Sequence, residues 1–150
     1  INLADLTANN SLAGPGVTLI NDTSTSKAGI TLTGFSAFNN NAGDGADINS
    51  SGIITLTKIT SDGNIGDGLS IDDGAPSYSP AYNYAGTPSN VVITCGSFVD
   101  NTGFGVNAKL ATGKTLTLVG GVLINNNSGG NQSNVTPGTL VNTNPVCPLP

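Results

Sequence analysis

Five aspartates, Asp44, Asp47, Asp67, Asp72 and Asp73, fall in one stretch of the chain and are the first residues whose chemistry asks for an account. Two carboxylates suffice for glycoside hydrolysis, and Asp72-Asp73 is the pair such a mechanism would use. Stacked carboxylates about 5 Å apart repel each other unless a cation sits between them. Calcium is the natural cofactor for that role, with Asp44 and Asp67 as the candidate ligands. The plainer reading is a solvated pair with slightly raised pKa values. It is preferred, so no metal or other cofactor is expected. The rest of the composition narrows the chemistry further. The chain holds no His, Arg or Glu, which removes the imidazole base, the Ser-His-Asp nucleophile and the bidentate guanidinium clamp. No catalytic residue is assigned, and the chain is read as a non-enzyme.

Two other groups carry chemistry. Cys95 and Cys147 suit one disulfide, and closing a loop of that size constrains the unfolded chain by roughly 4 kcal/mol. The alternative is two free thiols. All three tyrosines, Tyr78, Tyr82 and Tyr84, lie in one segment, about 72–90, with Pro76, Pro80 and Pro88. Flat amphipathic rings on a projecting loop suit a sugar face or a partner protein. The alternative is a loop folded back over its own core. Lys27, Lys58, Lys109 and Lys114 are scattered. With a net charge of −5, they give no cationic surface for nucleic acid. No apolar run approaches the length of a membrane helix. The Asn-x-Ser/Thr triplets at Asn9, Asn21, Asn49, Asn126, Asn131 and Asn134 are close to what chance gives in so Asn- and Ser-rich a chain.

The elements that position these residues are legible as a repeat. Ile30-Thr31-Leu32-Thr33, Ile54-Thr55-Leu56-Thr57, Val91-Val92-Ile93-Thr94 and Thr115-Leu116-Thr117-Leu118 alternate apolar and polar residues, the mark of half-buried strands. No stretch has helical periodicity. A shared motif follows: Asn41-Ala42-Gly43-Asp44-Gly45, Asn64-Ile65-Gly66-Asp67-Gly68 and Asn101-Thr102-Gly103-Phe104-Gly105, with worn copies at Gly14-Pro15-Gly16 and Asn127-Ser128-Gly129. Three residues before each Asn stands Phe38, Ser61, Phe98 or Ile124. Repeats in the twenties with short strands and no helix indicate a β-solenoid. The prediction is an all-β domain spanning 1–150, with about five coils of three short strands over 1–130, the insertion at 72–90, and a Pro-containing tail at 131–150. In this reading Asn41, Asn64, Asn101 and Asn127 stack into a hydrogen-bonded ladder. Each Asn is expected to turn a corner through a left-handed backbone. Gly43, Gly66, Gly103 and Gly129 are expected to allow a tight bend and close approach of coils.

The three Asn-x-Gly-x-Gly copies, covering about residues 28–129, resemble the right-handed parallel β-helix repeat proteins of bacterial surfaces, a superfamily of pectate-lyase-like enzymes and adhesin-like exported proteins. The resemblance implies right-handedness. It also implies basic and imidazole companions for any lyase or galacturonase site, and those are missing here. Gly43-x-Gly45-x-Asp47 is similar to a calcium-binding nonapeptide repeat, but Ser70 stands where the next coil needs Asp.

The ends carry the functional expectation. Ile1-Asn2-Leu3-Ala4-Asp5-Leu6 reads as a strand without a cap, and its start looks like a processed or cut edge. The tail resembles a cover or an extended arm, pinned by Cys147 to Cys95. Together these suggest a secreted structural module of a bacterial surface or matrix protein. Its partner would be a second copy added head-to-tail into a fibre. The alternatives are an adhesin segment binding cell-surface glycan through the tyrosines, and, less favoured, a polysaccharide hydrolase or lyase.

Overall fold

A computed structural model describes residues 1–21, 28–72, 89–130, 134–136, 138–143 and 147. The alternating runs become strands, and no helix occurs among the described residues. In chain order the strands are β1 (Asn2–Ala4), β2 (Val17–Asn21), β3 (Ile30–Thr33), β4 (Ser36–Ala37), β5 (Ala46–Ser50) and β6 (Ile54–Thr60). They continue as β7 (Leu69–Asp72), β8 (Val91–Val99), β9 (Val106–Lys109), β10 (Thr115–Asn125), β11 (Asn134–Thr136) and β12 (Thr139–Thr143). Every pairing is parallel. One sheet runs β1-β3-β6-β8-β10-β12 with β4 beside β6, and the other runs β2-β5-β7-β9-β11. The chain alternates between them, giving a β-solenoid of about four turns.

Like residues stack on like because the registers are in phase. Ile30, Ile54, Val91 and Leu116 form one inward column, and Leu32, Leu56, Ile93 and Leu118 the next. On the facing sheet Leu19, Ile48, Ile71 and Ala108 do the same. Nearly all of these side chains are withdrawn from water, while the Thr and Ser between them face outward. Burial of an aliphatic column at roughly 1.5–3 kcal/mol per side chain is what holds so weakly charged a chain together.

The first sheet is folded into two legs, and the hinge is a column of left-handed residues. Asp5, Gly34, Lys58, Cys95 and Gly120 have φ of 53°, 70°, 56°, 59° and 64°. Strands β6 and β8 pass straight through this corner. The first two short strands of each predicted coil are therefore joined into one bent strand in the later coils. In β10 the corner takes an extra residue, with Val119 opposite Thr94 but Val122 opposite Gly96, a bulge that Gly120 accommodates. At the same corner the ammonium of Lys58 lies 4.6 Å above the centre of the half-exposed Phe35 ring.

The second leg shows how size is compensated between coils. Ser36 and Phe38 lie in one coil, Ile59 and Ser61 in the next, and Gly96 and Phe98 in the third, all buried. Each large ring has a small neighbour on its own strand and a small residue stacked beside it. The tail holds two strands, β11 and β12, so it continues the stack instead of merely covering it.

Candidate functional site

The Asn-x-Gly-x-Gly segments form one corner of the solenoid and build a continuous hydrogen-bond ladder. The side-chain oxygen of Asn64 accepts from the Asn41 amide nitrogen at 2.9 Å and from its Nδ2 at 3.0 Å. Asn101 does the same for Asn64, at 2.9 Å each, and Asn127 for Asn101, again at 2.9 Å. Asn41, in turn, accepts from the amide of Ser11 at 2.9 Å. Ser11 is thus the first member of the ladder. The sequence disguises it, because a hydroxyl stands where the other coils have a carboxamide.

The expected left-handed Asn is displaced by one position. The ladder asparagines are not left-handed. The residues immediately before Ser11 and the four asparagines are: Asn10, Asn40, Gly63, Asp100 and Asn126, with φ of 60°, 57°, 69°, 58° and 57°. All five are Asn, Asp or Gly, the types that tolerate this conformation, so the signal was present one residue upstream. Gly43, Gly66, Gly103 and Gly129 lie in bends or turns without a left-handed φ, and they allow close approach of the coils. A Cβ on Gly66 would stand 2.7 Å from the backbone nitrogen of Asp44, and one on Gly103 would stand 2.9 Å from that of Asp67.

Asp44 and Asp67 do stack, and each carboxylate meets an amide of the following coil. Asp44 Oδ1 accepts from the Asp67 nitrogen at 2.7 Å, and Asp67 Oδ1 from the Phe104 nitrogen at 2.7 Å. Asp67 Oδ2 also accepts from Asn107 Nδ2 at 2.7 Å. This column runs opposite to the Asn ladder, since its acceptors reach forward and those of the Asn ladder reach back. Burial pushes the Asp44 carboxyl above its ordinary value of 3.8; the Asp67 amide opposes that rise and the Asp67 charge adds to it. Burial likewise raises Asp47, reinforced by the charge of Asp44 and opposed by Lys109. Asp72 is nearly buried at the end of β7 and lies in register beside Lys109. Among the described residues no cluster of three acidic or thiol side chains has the arrangement to hold a metal. Tyr78, Tyr82, Tyr84 and Asp73 lie outside the described residues.

A third column was missed altogether. Asn9 Oδ1 accepts from the Asn39 amide at 2.6 Å, Asn39 Oδ1 from that of Asp62 at 2.9 Å, and Asp62 Oδ1 from that of Val99 at 2.9 Å. Its members sit two residues before the ladder asparagines. They run Asn, Asn, Asp and Val along the column, a mixture that hides the period.

These ladders lead to the coil ends. At one end the inward columns finish in Leu3, Leu6, Ala8, Val17 and Leu19, with Ile1 42% and Leu3 37% exposed. At the other end β12 lies along β10 with every residue exposed. Cys95 and Cys147 form a disulfide with a Cα separation of 5.6 Å, which ties the chain just beyond β12 to the left-handed corner of β8.

No protein-family model matches the chain, and no curated protein or solved structure matches it.

Proposed function

We propose that the chain is a non-enzymatic structural module of an extracellular surface or matrix protein, extended head-to-tail by coil-on-coil addition. One observation carries this reading. The apolar columns and the Asn ladder stay in phase from coil to coil, so that each coil presents the next with the same parallel edge. A parallel strand edge backed by an apolar face is a template for one more coil. The ladders supply the specificity, because an added coil must match three hydrogen-bonding columns as well as the apolar ones. The disulfide fits an oxidising compartment. Negative-stain electron microscopy of the chain, oxidised and reduced, across a concentration series tests the proposal. Fibres of a solenoid's width are expected, and single-chain particles alone under every condition overturn head-to-tail assembly.

A further inference from the structure

The outward faces of the solenoid differ from one another. On the first leg of the first sheet, two outward columns run side by side across β3, β6, β8, β10 and β12. One is Thr31, Thr55, Val92, Thr117 and Val141. The other is Thr33, Thr57, Thr94, Val119 and Thr143. All are half-buried or exposed, and none carries a charge. The second sheet is mixed: Asp47, Ser70 and Asn107 share one outward column, and Asn49, Asp72 and Lys109 the next. The preference of strands for β-branched residues acts on every face alike, so it does not account for this difference.

Thr and Val have one shape. Both branch at Cβ and both present a γ-methyl, so the methyl pattern is complete across the two columns. The hydroxyl pattern is broken at Val92, Val119 and Val141. A face kept only for solubility has no use for those three residues, whereas a face that must hold one contour does. The coils hold it at even spacing. The Asn ladder on the neighbouring corner repeats at 3.0, 2.9 and 2.9 Å from Asn41 to Asn127, and side-chain ladders of this kind keep a sheet flat. Positions in the array recur about every 4.8 Å along the stack and about every 6.6 Å along a strand. Hexagonal ice repeats its oxygens on a prism face at spacings near these two. Methyl groups restrict the orientation of the water beside them, and each threonine hydroxyl offers that layer one donor and two acceptors. An ammonium or carboxylate in the array would interrupt such a layer, and there is none.

We propose that this Thr and Val face binds ice. Two other occupants fit it less well. A crystalline polysaccharide is gripped by aromatic rings, and the two columns hold none. A second copy laid face to face would bury about 300 Å² a side, well under the roughly 800 Å² of a standard interface. The inference does not rest on coil addition, since it uses the flank of the solenoid and not the coil edges.

Partitioning of the full chain into ice grown slowly through a dilute solution tests this. The parent chain is expected to enter the ice, and single crystals grown in its presence should be faceted. Thr57→Lys, at the centre of the array, should abolish uptake, while Thr57→Val keeps the methyl and should be taken up like the parent. Ser70→Lys, on the second sheet, controls for added charge and should also be taken up. Thermal melts of each variant separate lost binding from lost fold, and Thr94→Lys replaces Thr57→Lys if that variant melts early. Exclusion of the parent chain from ice overturns the proposal. So do uptake of both Lys variants equal to the parent's, and loss of uptake in Thr57→Val. Self-association that Thr57→Lys abolishes, in a chain that ice excludes, gives the face to a second copy and overturns it as well.

Discussion

The side-chain oxygen of Asn64 accepts two hydrogen bonds from one residue, the backbone and side-chain amides of Asn41, and both asparagines are 1% exposed. One acceptor thereby satisfies two buried donors, while Asn64 Nδ2 donates onward to Asn101 Oδ1 at 2.9 Å. Removing a buried partner costs the desolvation of each group left behind, about 1–3 kcal/mol apiece.

Asn64→Ala is therefore expected to destabilise the chain by about 2–5 kcal/mol, read as a fall in the urea midpoint. Asn39→Ala, on the more exposed neighbouring column, should cost under about 1.5 kcal/mol. Equal losses at both positions would mean that the buried ladder holds no special share of stability.

The Phe column makes a different prediction, about volume. A Cβ on Gly96 would lie 2.8 Å from the Phe98 ring, so Gly96→Ala must push the ring or its strand. Phe98→Leu alone opens space and should cost about 1–3 kcal/mol. In the double variant the new methyl enters the space the ring has left. The two losses should fall short of additivity by about 0.5–3 kcal/mol in a thermodynamic cycle. Strict additivity would show that the two sites do not share a volume.

Two glycines separate crowding from backbone conformation. Gly66 has no left-handed φ, but its Cβ would stand within 2.7 Å of the Asp44 nitrogen. Gly113 has φ of +80° with nothing within 4 Å of its Cβ. Gly113→Ala should cost about 1–2 kcal/mol and still fold. Gly66→Ala should lose the cooperative transition, and adding Asp44→Ala should not restore it, because beside the Asp44 carboxylate the Cβ also meets main chain, the Asp44 nitrogen at 2.7 Å and the Gly43 carbonyl carbon at 2.8 Å. Thermal unfolding by circular dichroism decides this, and recovery in the double variant would place the obstruction in the carboxylate.

What the sequence discloses and hides follows one rule. A column is legible when every coil uses the same residue type. Leu32, Leu56 and Ile93 announce strands, and Asn41, Asn64, Asn101 and Asn127 announce a ladder, because burial and hydrogen bonding leave little choice there. The hinge column is illegible because Asp5, Gly34, Lys58, Cys95 and Gly120 share only a backbone angle. At this corner several side chains bear the roughly 1–2 kcal/mol cost of that conformation. β12 escaped for a related reason: Leu140 continues the column of Leu116, but Asn142 breaks that of Leu118, so the segment reads as tail.

The acidic face predicts how stability responds to pH. Asp44 and Asp47 both have folded-state pKa values raised above 3.8, chiefly by burial. A raised carboxyl binds its proton more tightly in the folded chain than in the unfolded one. Its contribution therefore favours folding at low pH and is lost as pH rises through the folded value. Asp47→Asn removes the buried charge and its repulsion with Asp44. The variant should melt higher than the parent at neutral pH, and the difference should shrink to nothing below pH 3.8. Melting curves of the two proteins across that range are the check. Acids not coupled to Asp47 cancel in the comparison, and relief of the repulsion with Asp44 acts in the same direction. A variant that melts lower than the parent at neutral pH would show that Asp47 contributes a favourable interaction, with Lys109 the nearest source, that outweighs its burial.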